Sequence, residues 1–225
     1  MGAMVDLQAA DGHGLSAYRA DPAGRARGGV VIIQEIFGVN RHIRGVCDDY
    51  AREGYVAVAP ALFDRRRRGL ELGYTSEEIP EGREVAYSIP LEKALLDVDA
   101  AITAVRAAAG TAAVVGYCWG GLLAWLSATR LQPDVAVGYY GGRIAQYAAE
   151  PRRCPVMLHF GETDHAIPMD DVRRIRELAP DVLVHTYPAG HGFNCPERSS
   201  WDPACADTAR KRTLAFLDAH AASEG

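Results

Sequence analysis

Residues 113–126 read AVVGYCWGGLLAWL. An apolar, β-branched run climbs to Tyr117, glycines stand at 116, 120 and 121, and a helix-forming run begins at Trp119. A strand that turns at once into a helix, with a nucleophilic side chain at the apex, is a G-x-nucleophile-x-G elbow. Here it is Gly116-Tyr117-Cys118-Trp119-Gly120. Such a bend strains the backbone of the apical residue, so that its side chain projects above the sheet edge. The glycines leave room for backbone that crowds the turn. The amide of Trp119 then points toward a developing oxyanion, and the helix N-terminus adds positive potential that favours a thiolate. The plain alternative is a small buried cysteine at a strand–helix turn, and the pentapeptide alone does not separate the two.

Outward from the elbow, strand-length apolar runs alternate with helix-like segments. GGVVIIQ (28–34), YVAVAP (55–60), TAAVVGY (111–117), DVAVGYY (134–140), PVMLHF (155–160) and DVLVHTYP (181–188) read as strands. Residues 42–53, 91–109, 119–130, 171–179 and 204–220 read as helices; Leu95, Val98, Ile102 and Val105 show the helical spacing in the longest. This alternation predicts an α/β fold: a mostly parallel sheet with helices on both faces, in one domain over residues 1–225. Residues 61–81 are less regular and carry Arg65–Arg68 beside Glu71, Glu77 and Glu78. They read as a solvated charged loop near a pocket.

The bulk numbers narrow the classes of function. With 225 residues, 48% of them hydrophobic, the chain can bury a large core without staples. A net charge of −5 gives no reason to expect nucleic acid as a partner. No apolar run reaches the roughly 18 residues of a membrane span, and the opening residues lack the order of a signal peptide. Five scattered cysteines, none in a C-x-x-C pair, fit a reduced, cytoplasmic protein that is a monomer or a weak homo-oligomer.

Partners for Cys118 follow in the chain order nucleophile, acid, histidine. Asp164 lies in GETDHAIP after one strand, and His191 lies in PAGHGF after the next. Both stand beyond strand carboxyl ends, the rim where a parallel sheet builds its site. His165 is adjacent to Asp164 and is expected to point away from it. His159 and His185 sit inside strands as core or sheet-face residues, while His13, His42 and His220 read as loop or helix-surface residues. No histidine pair has metal-ligand spacing. Asp170 and Asp171 open a helix, as capping residues do. Cys47, Cys154 and Cys205 read as packing residues.

The combination QEIFGVNRHIR (34–44), GYCWGG (116–121), GETDHAIP (161–168) and GHGFNC (190–195) resembles the dienelactone hydrolases, or carboxymethylenebutenolidases, over about residues 5–220. The resemblance implies a single-domain α/β-hydrolase fold with no separate lid domain, no metal and no organic cofactor. It matches Cys118, Asp164 and His191 to the family's triad. It matches Glu35 to a glutamate that contacts the resting thiol and takes part in its activation, and the Ile36 amide to the second oxyanion donor beside Trp119. Arg83 and Tyr87, in GREVAYS (82–88), match an arginine and a tyrosine that hold a substrate carboxylate; their i, i+4 spacing puts them on one helical face. A second carboxylate-binding arginine is expected shortly after the histidine. Cys195 stands at that position, with Arg198 three residues on, so the identity of the substrate stays open.

The implied activity is hydrolysis of a small-molecule lactone or activated ester, with or without a carboxylate, through a cysteine thioester. The thiol itself argues for such substrates. The imidazolium beside a thiolate must protonate a poor leaving group, but an enolate leaves unaided. Two other readings remain: a broad esterase for small acyl groups, and a thiol redox sensor with Cys118 as the oxidisable residue. The second lacks a resolving cysteine nearby in sequence.

Overall fold

Eight strands and six α-helices are present in the computed structural model, which describes residues 2–220. In chain order they are β1 (Ala3–Gln8), β2 (Gly14–Ala20), β3 (Gly28–Ile33), α1 (Arg41–Arg52), β4 (Tyr55–Pro60), α2 (Glu78–Ser88), α3 (Leu91–Ala109), β5 (Ala113–Tyr117), α4 (Trp119–Arg130), β6 (Val135–Tyr139), β7 (Val156–Gly161), α5 (Met169–Leu178), β8 (Leu183–Tyr187) and α6 (Pro203–His220). The strands form one sheet in the order β1-β2-β4-β3-β5-β6-β7-β8. From β4 to β8 every pairing is parallel, whereas β1 and β2 pair antiparallel with each other and β2 with β4.

The expected parallel sheet is therefore present, and an antiparallel hairpin extends one edge. Only part of that hairpin lacks a signal in the sequence. No residue of β1 is fully buried, so the edge strand carries no core-facing run, whereas β2 buries Leu15, Ala17, Tyr18 and Ala20 around the polar Ser16 and Arg19. β3 and β4, buried at every position, read as unbroken apolar segments. The start of α2 falls within the irregular stretch 61–81. Pro80 lies in its first turn, where a missing N–H costs no intrahelical bond.

Period-two alternation assigns the two faces. Gly116 and Gly138 are in register on β5 and β6 and lie against α4. Tyr117, Tyr139, His159 and His185, one residue further along β5 to β8, are in register on the opposite face. There the Tyr139 hydroxyl is 2.6 Å from Thr213 Oγ1 of α6, and the His159 ring lies 3.1 Å from the same oxygen and 2.8 Å from the Tyr187 hydroxyl. His159 is thus a satisfied core histidine, with burial holding it well below the usual imidazole range. His42 is a correction. It was expected on the helix surface, but the first turn of α1 buries it beneath Tyr117, with ring centroids 6.4 Å apart.

The arginines of residues 65–68 are engaged as a charged loop should be. Arg67 pairs with Glu81, Arg68 with Asp64, and Arg66 donates to the Ser88 carbonyl. Arg65 goes further. Its guanidinium makes a two-pronged contact at 2.7 Å with Asp97, a fully buried carboxylate on α3, and also meets Asp11 at 3.0 Å. Removing one member of a buried pair strands the other charge. Arg65→Ala is expected to destabilise the fold by about 3 kcal/mol in urea unfolding, and adding Asp97→Asn should recover part of that loss.

Candidate active site

Cys118 occupies the turn between β5 and α4 with φ 55° and ψ −115°, a region that side-chain-bearing residues enter only under constraint. Glycines make the constraint possible. A Cβ on Gly116 would lie 1.9 Å from the Gly120 carbonyl oxygen, and one on Gly120 would lie 2.4 Å from the Ile33 carbonyl oxygen. With both absent, α4 starts directly over the ends of β3 and β5. The Cys118 N–H donates to the Tyr139 carbonyl at 3.0 Å, which fixes the apex on its neighbouring strand.

The structure brings Cys118, His191 and Asp164 together from three separate connections. His191 Nε2 is 3.2 Å from Cys118 Sγ, and His191 Nδ1 is 2.7 Å from Asp164 Oδ2. Asp164 is fully buried at its side chain, and its other oxygen accepts the Ala166 N–H at 2.8 Å. A carboxylate so held can only accept, so Nδ1 carries a proton and donates it to Asp164. Burial opposes charge on the His191 ring, but the neighbouring Cys118 sulfur and Asp164 outweigh it and push the imidazole up to about 10. His165 is exposed and faces away from buried Asp164, as expected of adjacent side chains.

Ile36 and Trp119 both line the same pocket, and among the described residues neither backbone N–H has a protein acceptor. Helix α2 rests on this loop. A Cβ on Gly82 would lie 1.9 Å from the Ile36 carbonyl oxygen, so the glycine lets α2 settle against the strand-end turn and carry Arg83 and Tyr87 to the pocket rim. The pocket has a volume of about 170 Å³, and Arg83, Tyr87, Cys118, Trp119, His191 and Arg198 are among its lining residues. A wider groove between α1 and α6, lined by Arg41, His42, Trp201 and Arg210, contains no member of the Cys118–His191–Asp164 set.

Glu35 does not reach the sulfur in this arrangement. Its carboxylate accepts from Arg198 Nη1 at 3.1 Å and from the Tyr74 hydroxyl at 3.3 Å, while the thiol's hydrogen-bond partner is His191. Arg198 enters the pocket and packs over Phe37 and Tyr74, a contact between residues more than 100 positions apart that no local motif announces. Cys195, at the position of the expected second carboxylate-binding arginine, does not line the pocket. It is fully buried behind Glu35 and outside the pocket lining, and burial pushes its thiol up to about 11. Glu35, His42 and Cys195 offer three potential ligand atoms within 4.8 Å of one another. The Arg198 guanidinium already supplies a positive charge to that carboxylate.

A sequence model of the dienelactone hydrolase family matches residues 15–221. The chain belongs to this family. It is 36% identical over 226 residues to a carboxymethylenebutenolidase of Pseudomonas putida, with 95% of this chain and 94% of that one covered. It is 32% identical to carboxymethylenebutenolidase 1 of Cupriavidus pinatubonensis, with 95% of each covered. A crystal structure from Klebsiella pneumoniae subsp. pneumoniae, assigned as a dienelactone hydrolase, superposes with a TM-score of 0.84 at 29% identity, over 96% of this chain and 98% of that one. The fold is accordingly the family's α/β-hydrolase fold. The chain is a carboxylic ester hydrolase of this lactone-cleaving family. No helix among the described residues is long and apolar enough to cross a membrane, and all five cysteines are free.

The raised pKa of His191 has a consequence for stability. A free imidazole titrates near 6.5, so the folded state holds the proton more tightly than the unfolded chain. The resulting stabilisation is complete below about pH 6.5 and is lost as pH rises through about 10. In urea unfolding, the stability difference between the parent and His191→Gln is expected to be largest near pH 6 and to shrink steadily toward pH 10. A difference that widens over that range would reverse the sign of the coupling.

Proposed function

We propose that the chain cleaves a lactone or activated ester by nucleophilic catalysis at Cys118, with His191 as acid and base and Asp164 as the group that orients it. The observation that carries this reading is the continuous line of contacts from Sγ through both imidazole nitrogens to a buried carboxylate. The substrate carbonyl oxygen sits between the Ile36 and Trp119 amides. Cys118 Sγ, as the thiolate with His191 cationic beside it, attacks the carbonyl carbon. The tetrahedral intermediate collapses, the C–O bond breaks and a thioester remains. An enolate or phenolate leaves without needing a proton; a more basic alkoxide takes one from His191. His191, neutral again, or the departed enolate removes a proton from water, which attacks the thioester and releases the acid and the thiolate. Two backbone donors aimed at the oxyanion serve this step. Losing one typically costs about 3 kcal/mol of barrier.

Glu35 has a positioning role in this reading. It holds Arg198 at the pocket wall from a site 1% exposed. All the residues invoked come from one chain. Free cysteines throughout fit a reducing compartment, so the cytoplasm is the proposed location.

Cys118→Ala is expected to remove p-nitrophenyl acetate hydrolysis, by a factor of at least about 10³, while the far-ultraviolet circular dichroism stays that of the parent. Equal turnover by parent and variant would sink the assignment. Cys118→Ser tests why the nucleophile is a thiol. We expect it to lose far more activity on enol lactones, where the thiol has its advantage, than on alkyl esters or amides, measured as the ratio of kcat/KM values. Uniform loss across the three substrate types would remove the leaving-group argument.

A further inference from the structure

We propose that Arg143 is a specificity-determining residue that, together with Arg83, binds a carboxylate of the substrate remote from the scissile carbonyl. The inference rests on the Cys118 pocket being the reactive site, and it adds a residue that neither the elbow nor the triad requires.

Three arginines line that pocket: Arg83 on α2, Arg143 in the turn after β6, and Arg198. They are not equivalent. Arg198 is paired with Glu35 at 3.1 Å, so its charge is offset within the protein. Arg83 and Arg143 have no carboxylate partner among the described residues, although the chain carries 29 acidic side chains against 24 basic ones and most of its other arginines are paired. Two uncompensated guanidiniums at one pocket mouth make a local positive field in an acidic protein, and that field favours an anionic substrate. The recorded hydrogen bond of Arg143 is a long one, from Nε to Gln146 Oε1 at 3.5 Å, beyond firm hydrogen-bond range.

Backbone geometry singles out Arg143 independently. Its φ of 66° and ψ of 1° lie in the left-handed region, where a residue with a side chain is disfavoured and glycine is not. The two preceding residues are Gly141 and Gly142, yet the left-handed place is held by an arginine. The turn is anchored by buried Ile144, and the Arg143 guanidinium stands 6.0 Å from the centre of the exposed Tyr87 ring. Tyr87 lies one helical turn beyond Arg83. Arg143 thus stands against the ring that follows Arg83 on α2, and both arginines line one pocket, an arrangement suited to a planar carboxylate, which accepts hydrogen bonds from two guanidiniums at once.

The test compares parent, Arg143→Gly, Arg143→Ala and Arg143→Lys on matched esters. 4-Acetoxybenzoate and its methyl ester place a charge, or none, on the leaving group. Mono-4-nitrophenyl adipate and 4-nitrophenyl hexanoate do the same for the acyl group. The expected result is a rise in KM of about three- to tenfold for at least one anionic ester in both the glycine and alanine variants, with the neutral esters unchanged and lysine recovering part of the loss. Parent kcat/KM on that anionic ester should fall with added salt more steeply than that of Arg143→Gly. Arg143→Gly should also melt at or above the parent temperature, which separates the side chain's role from the shape of the turn. Unchanged anionic-to-neutral ratios in all three variants would overturn the proposal, as would equal losses on charged and neutral esters. Either result leaves the Cys118 assignment standing, because that is decided by Cys118→Ala on the neutral ester.

Discussion

The structure depends on how closely α4 approaches the ends of β3 and β5. Helix and strand meet there backbone to backbone, at distances that leave no space for a Cβ at Gly116 or Gly120. That contact sets the pitch of the turn and holds Cys118 at a positive φ. The energy stored in the elbow, of order 1–3 kcal/mol, is maintained by the surrounding buried sheet, which is fully covered at β3, β4, β5, β6 and β7. A nucleophile on a flexible loop would collapse toward the protein surface. Here the same packing that excludes water from the sheet keeps the sulfur facing the pocket.

Around that fixed point, the remaining groups are delivered by parallel topology. Each strand from β3 to β8 runs the same way, so the loops that follow them gather at one rim: Glu35 and Ile36 after β3, Cys118 after β5, Arg143 after β6, Asp164 after β7 and His191 after β8. Asp164 and His191 follow adjacent strands, which brings the carboxylate within 2.7 Å of the ring without any side chain being stretched. The Asp164 carboxylate is held in turn by the Ala166 amide within its own turn, a contact independent of the histidine.

How far this could be read beforehand depends on the range of the interaction. The buried strands and the elbow are local patterns, and the order of Cys118, Asp164 and His191 along the chain is enough to suggest that they meet. The edge strand β1 shows no buried residue and left no pattern to read. Arg198 and Glu35 meet across a fold-level distance, and nothing in HGFNCPER says that the arginine lines the pocket while Cys195 is buried away from it. His42 is polar and sits in a helix whose outward face is charged, so its burial beneath Tyr117 follows only once the sheet face above it is known. Arg143 is not legible in the sequence, because a positive φ is a property of the folded turn and the sequence GGR does not fix which residue adopts it.

The seating of α2 on the Ile36 carbonyl through Gly82 divides labour within the molecule. The groups proposed to break the bond stand on connections at the ends of buried strands, where any displacement disturbs the interior. The groups proposed to meet the incoming molecule, Arg83 and Arg143, belong to one short helix and one glycine-containing turn, both at the periphery. Sequence drift in those two pieces can therefore retune which esters are accepted while the reactive centre stays as it is, and a lineage built on this scaffold can diversify its diet without re-inventing its chemistry.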